Sequence, residues 1–458
     1  MRTAFIRTGS MAMLLILVAG CGAMGFKDST NIKIDPGKNI QNSQASFELR
    51  ESRAKQVKDK LVDCNPKKYK NILVMLALSG GGSRAALLSG LSMMEMQHMP
   101  LANGSNLLAE VDLISSVSGG SLAAAYYASS GDAVSPGTGK TMENPECHRA
   151  ISDREWNEAE VTRLMSKNYL LPWIGNWFWP DNIFLYWFST YDRTDMMAQT
   201  FADNLYDVRV GGRDLQFADL NPARPNLIIN ATQGSSNASA NNTFGQPFTF
   251  TQEDFARVCS PIADYDLSCG AMASASFPGV FNFMTLKNHC HTDQYVHLFD
   301  GGNSDNLGLT SIKRELWYLH KSNKLAGYKR IVVILVDAYT DSNGVSESIN
   351  DPRRWYDDVL DTNINTATDS LLAKNRVNLL NQFETVNLFP YSAADVQYLL
   401  NEISGSDASQ KLNKRKKAEK KVLTECLNFF IWETPKQAEA NCSPGMNNEF
   451  NSLNAEIR

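Results

Sequence analysis

Apolar residues fall in short unbroken runs separated by stretches where Ala, Leu and Met mix with polar residues. Asn71 to Leu78 (NILVMLAL) is the clearest run and leads into a glycine cluster. A strand buried on both faces reads this way, and such strands belong to parallel sheets. Arg84 to Met96 suits a helix, Asp112 to Val117 (DLISSV) a second strand, and Gly119 to Ser129 a second helix. Asn226 to Ala231, Tyr295 to Phe299 and Arg330 to Val336 predict further strands. Charged Ser46 to Lys70 predicts a leading helix. The alternation implies an α/β fold, a central mostly parallel sheet layered between helices.

Gly131 to Pro225 interrupts this alternation as a long insertion, a cap. Its middle, Asn168 to Tyr191, holds ten aromatics in 24 residues, including four of the eight tryptophans. Pro172, Gly175 and Pro180 break any long helix there. Such aromatics serve either a packed cap core or, with Trp177 and Trp179, a surface over the site that dips into lipid. Gln233 to Thr243 is a small-polar loop. Lys411 to Lys421 (KLNKRKKAEKK) reads as a solvated helix face, within a charged helical extension over residues 401–458.

The chain has 458 residues, 43% apolar and 20% charged, enough for a sizeable core. Its formal net charge of −5 argues against a general nucleic-acid binder. The N-terminus changes the picture more. Arg2 and Arg7 precede an apolar run, Met11 to Val18, which is shorter than the roughly 20 residues a spanning helix needs. A basic start, a short apolar core and small residues make a secretory signal peptide over residues 1–20. Val18-Ala19-Gly20-Cys21 resembles the lipobox of bacterial lipoproteins, which implies cleavage before Cys21 and lipidation of its sulfur and new amine. Gly22 rather than Asp after the cysteine implies the outer membrane of a bacterial envelope, facing the periplasm. Polar residues 21–46 then read as a lipidated tether, and residues 47–400 as the main domain.

Seven further cysteines would meet oxidising conditions. Cys259–Cys269 and Cys426–Cys442 are the natural local pairs, and an odd number leaves at least one thiol over.

Three motifs carry chemistry. Ser116-Val117-Ser118-Gly119-Gly120 lies between a strand and a helix, where a tight elbow aims a serine hydroxyl into a cleft. Ser116 and Gly119-Gly120 supply the small neighbours such a crowded turn needs. Gly80-Gly81-Gly82-Ser83-Arg84 follows the first strand and lets backbone N–H groups converge on an anion, as in an oxyanion hole. The same glycines loosely fit a dinucleotide fingerprint, but that motif wants an acid near the end of the next strand, which here ends at Ser118. Asp300-Gly301-Gly302 closes an apolar strand; by itself it is also how an ordinary Asp-Gly turn reads. A Ser-His-Asp triad in the order Ser118, Asp300, His320 is the mechanistic rival, although His320 falls in an expected helix. His289-Cys290-His291, with Asp293 and His297, invites a metal reading, but its spacing suits a surface loop better.

Together the three motifs, with Ala273-Ser274-Ala275-Ser276-Phe277-Pro278-Gly279-Val280-Phe281, resemble the patatin-like phospholipases, the bacterial branch most. The resemblance runs roughly from Asn71 to Asp337. It departs from the family pattern at Ser116 and Ala85, where glycine is usual. It implies a Ser–Asp dyad without histidine: Ser118 as nucleophile, Asp300 as proton acceptor, and the Gly80 to Arg84 loop holding the oxyanion. The implied substrate is a phospholipid or lysophospholipid, with no cofactor and no metal. Acyl transfer through the same serine, or a non-catalytic lipoprotein that binds lipid or a partner, are the alternatives.

Overall fold

Two short strands open the described part of the domain, β1 (Ala54–Val57) and β2 (Lys60–Asp63), paired antiparallel with Val57 opposite Lys60. This corrects the helix expected over Ser46 to Lys70. Apolar Ala54, Val57, Leu61 and Val62 fit a helical stripe as well as a hairpin, so spacing alone could not separate them. The computed structural model describes residues 31–34, 45–47, 49, 54–57, 60–63, 71–99, 101, 106–132, 154–180, 182–183, 186, 191–206, 213–235, 244–291, 294–328, 330–339, 372–381, 389–390 and 427–433.

After this hairpin come β3 (Ile72–Leu78), α1 (Gly82–Gln97), β4 (Leu113–Val117), α2 (Gly119–Ser129), β5 (Gly131–Asp132) and β6 (Glu155–Trp156). The insertion continues with α3 (Glu158–Met165), α4 (Leu170–Trp177) and α5 (Arg193–Phe201). The chain then runs through β7 (Asn226–Gln233), β8 (Pro247–Phe250), α6 (Gln252–Ala256), α7 (Leu267–Ser274) and β9 (Met284–Lys287). Next are β10 (Tyr295–Asp300), a one-turn α8 (Gly302–Asp305), α9 (Leu309–Lys321) and β11 (Arg330–Val336). The final strands are β12 (Phe389–Pro390) and β13 (Leu427–Glu433).

Apart from β5 and β6, which pair with each other, one sheet joins these strands in the order β12-β13-β11-β3-β4-β7-β10-β9, with β8 also on β7. Its centre, β11-β3-β4-β7, is parallel, and antiparallel strands extend it on both sides. The runs read as doubly buried strands are so: Val74, Leu76 and Leu78 pack with Met93 of α1 and Ala124 of α2. Leu73, Met75 and Ala77 face Leu309, Ile312 and Leu316 of α9 on the other side. Each such buried Val, Leu, Ile or Met side chain contributes about 1.5–3 kcal/mol. The helix expected over residues 401–458 is corrected where those residues are described: 427–433 form β13, paired along β11. Leu427-Asn-Phe-Phe-Ile-Trp-Glu433 is an apolar, aromatic run, and the neighbouring basic residues masked that β preference. Lys411 to Lys421 lies outside the described residues.

Strand β7 is the spine on which two strand ends converge. β4 covers Asn226 to Asn230, with Val117 opposite Asn230. β10 covers Ala231 to Gln233, with Asp300 opposite Ala231. β8 spans Ile229 to Thr232, overlapping both, and so occupies the other edge. β4 and β10 therefore meet end to end on one edge of β7, and both chain directions point at the junction.

Parts of the tether region lie on the domain. Asn31 exchanges two hydrogen bonds with the Lys287 backbone (2.9 and 2.8 Å), and its carbonyl accepts from His289 Nε2 at 3.0 Å. The Ile34 N–H donates to the Cys259 carbonyl. Cys259 is bonded to Cys290, and Cys269 is a buried residue of α7 outside that disulfide, which corrects the expected Cys259–Cys269 pair. Helix α7 turns Cys269 into the core, so nearness in sequence did not become nearness in space. Cys426 and Cys442 lie outside the described residues.

Candidate active site

β4 passes into α2 through one residue, Ser118. Its φ of 50° and ψ of −122° lie where L-residues are rarely found. The turn is so abrupt that the Ser118 amide joins neither strand nor helix, and donates instead to Ser274 Oγ at 2.8 Å. Ser274 in turn donates to the Asn230 carbonyl at 2.5 Å. Ser121 Oγ lies 3.0 Å from Ser274 Oγ and 3.1 Å from Ser116 Oγ, and Ser116 donates to the Ile228 carbonyl. Ser116, which stands where glycine is usual, is therefore one member of a fully buried hydroxyl chain beneath the elbow.

Gly119 is required by close approach. A Cβ there would strike the Gly82 carbonyl oxygen, so the first residues of α1 and α2 touch backbone to backbone. This contact brings the glycine-rich loop to the serine. Gly81 and Gly82 have φ of 141° and 63°, which turn the loop sharply into α1. Among the described residues, the N–H groups of Gly81, Gly82 and Ser83 meet no acceptor, and all three residues are exposed. Unsatisfied donors at a helix start form a ready anion site. Gly80 differs from the expectation that placed it among the donors. Its amide is spent on the Asn306 carbonyl at 2.9 Å, so it positions the loop. Arg84 is exposed, with its guanidinium beside Gly81.

Asp300 ends β10 opposite the elbow. Its Oδ2 accepts the Ser118 hydroxyl at 2.9 Å, and its Oδ1 accepts the Gly302 N–H at 2.7 Å. Both side chains are nearly enclosed, with Ser118 7% and Asp300 6% exposed. Burial pushes the carboxyl up to about 6, against the downward pull of the Gly302 and Ser118 hydrogen bonds. Thr232 Oγ1 donates to the Asp300 carbonyl at 2.8 Å, and a Cβ at Gly301 would meet the Asn230 carbonyl. The pair thus stands at the β4–β10 junction, with a raised-pKa carboxylate on the hydroxyl and free donors across the gap.

Among the described residues, no histidine is a hydrogen-bond partner of Ser118 or Asp300. His320 stands in the last turn of α9. His289 and Cys290 are engaged by Asn31 and Cys259, and His297 Nδ1 faces Thr285 Oγ1 at 3.1 Å. Sequence reasoning gave Ser274, Asn230, Ser121, Thr232 and Asn306 no role. Asn230 had a signal, an amide inside a buried apolar strand, which must hydrogen-bond. Its Nδ2 holds Ser115 Oγ and the Ser116 carbonyl, both at 2.9 Å, and Ser311 Oγ donates to its Oδ1.

The family model for patatin-like phospholipase matches residues 76–312, just over half the chain and all the elements that build this junction. The chain belongs to that family. Membership gives it a patatin-like phospholipase domain, and the patatin-like fold is the α/β sheet described above. No curated protein matches it. Among solved structures it is similar to VipD from Legionella pneumophila, at 13% identity and a TM-score of 0.23. That match covers 60% of this chain and 52% of VipD, so the chain spans about half of that structure. In this patatin-like chain the buried hydroxyls under the elbow support the serine loop.

Proposed function

We propose that this patatin-like protein hydrolyses acyl esters of phospholipids or lysophospholipids with a Ser118–Asp300 dyad. The observation that carries the reading is the 2.9 Å hydrogen bond between a strained, buried serine and a carboxylate held near 6. Ser118 Oγ attacks the ester carbonyl carbon as Asp300 takes its proton. The carbonyl oxygen becomes an oxyanion in reach of the Gly81, Gly82 and Ser83 amides, where preorganised donors stabilise developing charge. Collapse expels the alcohol, which leaves with the proton from Asp300, and an acyl-serine remains. A water then loses a proton to Asp300 and attacks, the fatty acid departs, and the proton returns to Ser118 Oγ.

Reaction with a fluorophosphonate probe tests this directly. Labelling should occur in the parent chain, vanish in Ser118→Ala and drop sharply in Asp300→Asn, while His320→Ala keeps it. Labelling that persists in Ser118→Ala, or that is lost in a folded His320→Ala, would overturn the dyad.

The N-terminal segment supports a second part of the reading, a lipid anchor at Cys21 after removal of residues 1–20, with the domain held at the periplasmic face of a bacterial outer membrane. The support is the residue pattern around Cys21 alone.

A further inference from the structure

The cap has two faces of opposite character. Its inner face is fastened. Trp173 Nε1 donates to the Arg193 carbonyl at 3.0 Å, and Asn176 Nδ2 donates to Thr200 Oγ1 at 2.8 Å. Tyr169 packs edge-on against Phe201, and Trp177 lies 5.6 Å from both Trp173 and Tyr186. Trp177 is thus a packed ring, in contrast to the expectation that grouped it with Trp179. The outer face is bare. Leu170, Leu171, Ile174, Phe178, Trp179 and Ile183 are all exposed, Phe178 at 74%, Leu171 at 69% and Trp179 at 63%. From Asn168 to Pro180 there is no charged residue.

The cap is fastened to the loop that precedes the Asp300 strand. Trp173 meets Phe281 edge-on at 5.6 Å, and Asn282 is bonded to Thr194, Arg193 and Asp192 of the cap. Phe281 and Asn282 lie in a loop whose Val280 and Phe283 are also exposed. The loop starts at Ser276, whose carbonyl accepts the Asp300 N–H at 3.0 Å. The cap is therefore tied, through Phe281 and Asn282, to the loop that leads to the strand end carrying Asp300, and that loop exposes Val280 and Phe283.

We infer that the outer face of α4 and the residues after it, with the Val280–Phe283 loop, is a bilayer-docking surface that seats the site on lipid. The occupant follows from complementarity. Exposed Leu, Ile, Phe and Trp side chains on a stretch, Asn168 to Pro180, without a charge match a hydrocarbon phase and offer little to a charged peptide. Tryptophan suits the boundary, with an apolar ring and a polar edge. Among the described residues no helix is long and apolar enough to cross a membrane, so the segment lies in the interface. The inference rests on the lipid-hydrolase reading for its occupant, and its test reads binding separately from catalysis.

The full chain carrying Cys21→Ser, so that no acyl anchor contributes, is sedimented with vesicles of phosphatidylcholine and phosphatidylglycerol. It should pellet with them. Phe178→Ser with Trp179→Ser should weaken pelleting about tenfold, the loss expected for two interfacial aromatics. Hydrolysis of a short soluble ester should stay within about twofold of the parent. Leu171→Asn should weaken pelleting in the same direction, with an unchanged melting temperature. Brominated lipid should quench fluorescence in the parent more than in Trp179→Phe. A parent that does not pellet, or variants that pellet equally, overturn the inference. So does a melting temperature that falls in both variants, which would make the rings core. A parent dimer that the variants split would assign the face to a second copy. Adding Ser118→Ala should leave pelleting unchanged; pelleting without any ester hydrolysis in the parent would sink the catalytic reading alone.

Discussion

Ser118 and Asp300 are 182 residues apart in sequence and 2.9 Å apart in space, because the strands before them end against adjacent residues of β7. The hydroxyl and carboxylate are each carried by the last step of a strand, so no long loop decides their distance.

The first prediction concerns pH. Asp300 must be ionised to take a proton, so kcat/KM should fall as pH drops through about 6, with no matching limb from a histidine. Stability runs the other way. The fold disfavours the carboxylate, so its contribution is full below pH 4 and is lost as pH rises through about 6. The gap between 3.8 and about 6 corresponds to roughly 3 kcal/mol. Asp300→Asn should melt higher than the parent at pH 8 and equally at about pH 3.5. A variant that melts lower at pH 8 would contradict the cost of burial.

Gly119→Ala should be worse than an ordinary helix substitution. The added methyl meets the Gly82 carbonyl, so the loop bearing the free amides must shift. We expect kcat on a soluble ester to fall about 10²–10³-fold, and stability by roughly 1–3 kcal/mol. Gly327→Ala, where a Cβ meets nothing within 4 Å, is the control and should leave kcat alone. Equal kcat in both variants would mean that the close approach does not hold the amides in place.

Arg314→Met tests a buried ion pair far from the chemistry. Asp254 is fully buried, and although burial alone would raise its pKa, Arg314 Nη2 at 2.7 Å and the Thr249 hydrogen bonds hold it below the usual range. Removing the guanidinium leaves Asp254 with only the more exposed Arg257, whose Nη1 lies 3.3 Å from Oδ1, and the Thr249 hydrogen bonds, at a cost of up to about 3 kcal/mol. The depressed pKa adds stability above pH 4 that is lost as pH falls further, so the variant's deficit should shrink in acid. Denaturant unfolding at two pH values measures it.

Cys21→Ser should abolish palmitate incorporation and leave the signal segment uncleaved by the lipoprotein-specific route. Continued incorporation would place the acyl group elsewhere.

The sheet was legible where burial is two-sided. Ile72 to Leu78 and Ile331 to Val336 are unbroken apolar runs, rich in β-branched residues and short enough for central strands. The hairpin at Ala54 to Asp63 was not, because its apolar spacing serves two periodicities at once. The glycine doublets beside Ser118 and Asp300 mark both turns in the sequence, but their meeting rests on β7 pairing, which no local pattern encodes. Ser274 was visible within Ala273 to Phe281 without its role, since a hydroxyl's partner is a tertiary fact. Cys290 is not an obvious partner for Cys259 at a sequence separation of 31, although loop-closure cost grows only slowly with length.

The placement of the elbow at the centre of the sheet has a consequence for how the protein fails. Amides of β3, β4 and β7 are buried on both faces and paired on both edges, so their hydrogens exchange only when the whole domain opens. Ser118 and the loop at Gly81 hang directly from these strands. Partial fraying of the cap or the termini leaves them in register. Heat inactivation on a soluble ester therefore coincides with global unfolding, and the exchange-protected centre and the chemistry are lost in the same cooperative step.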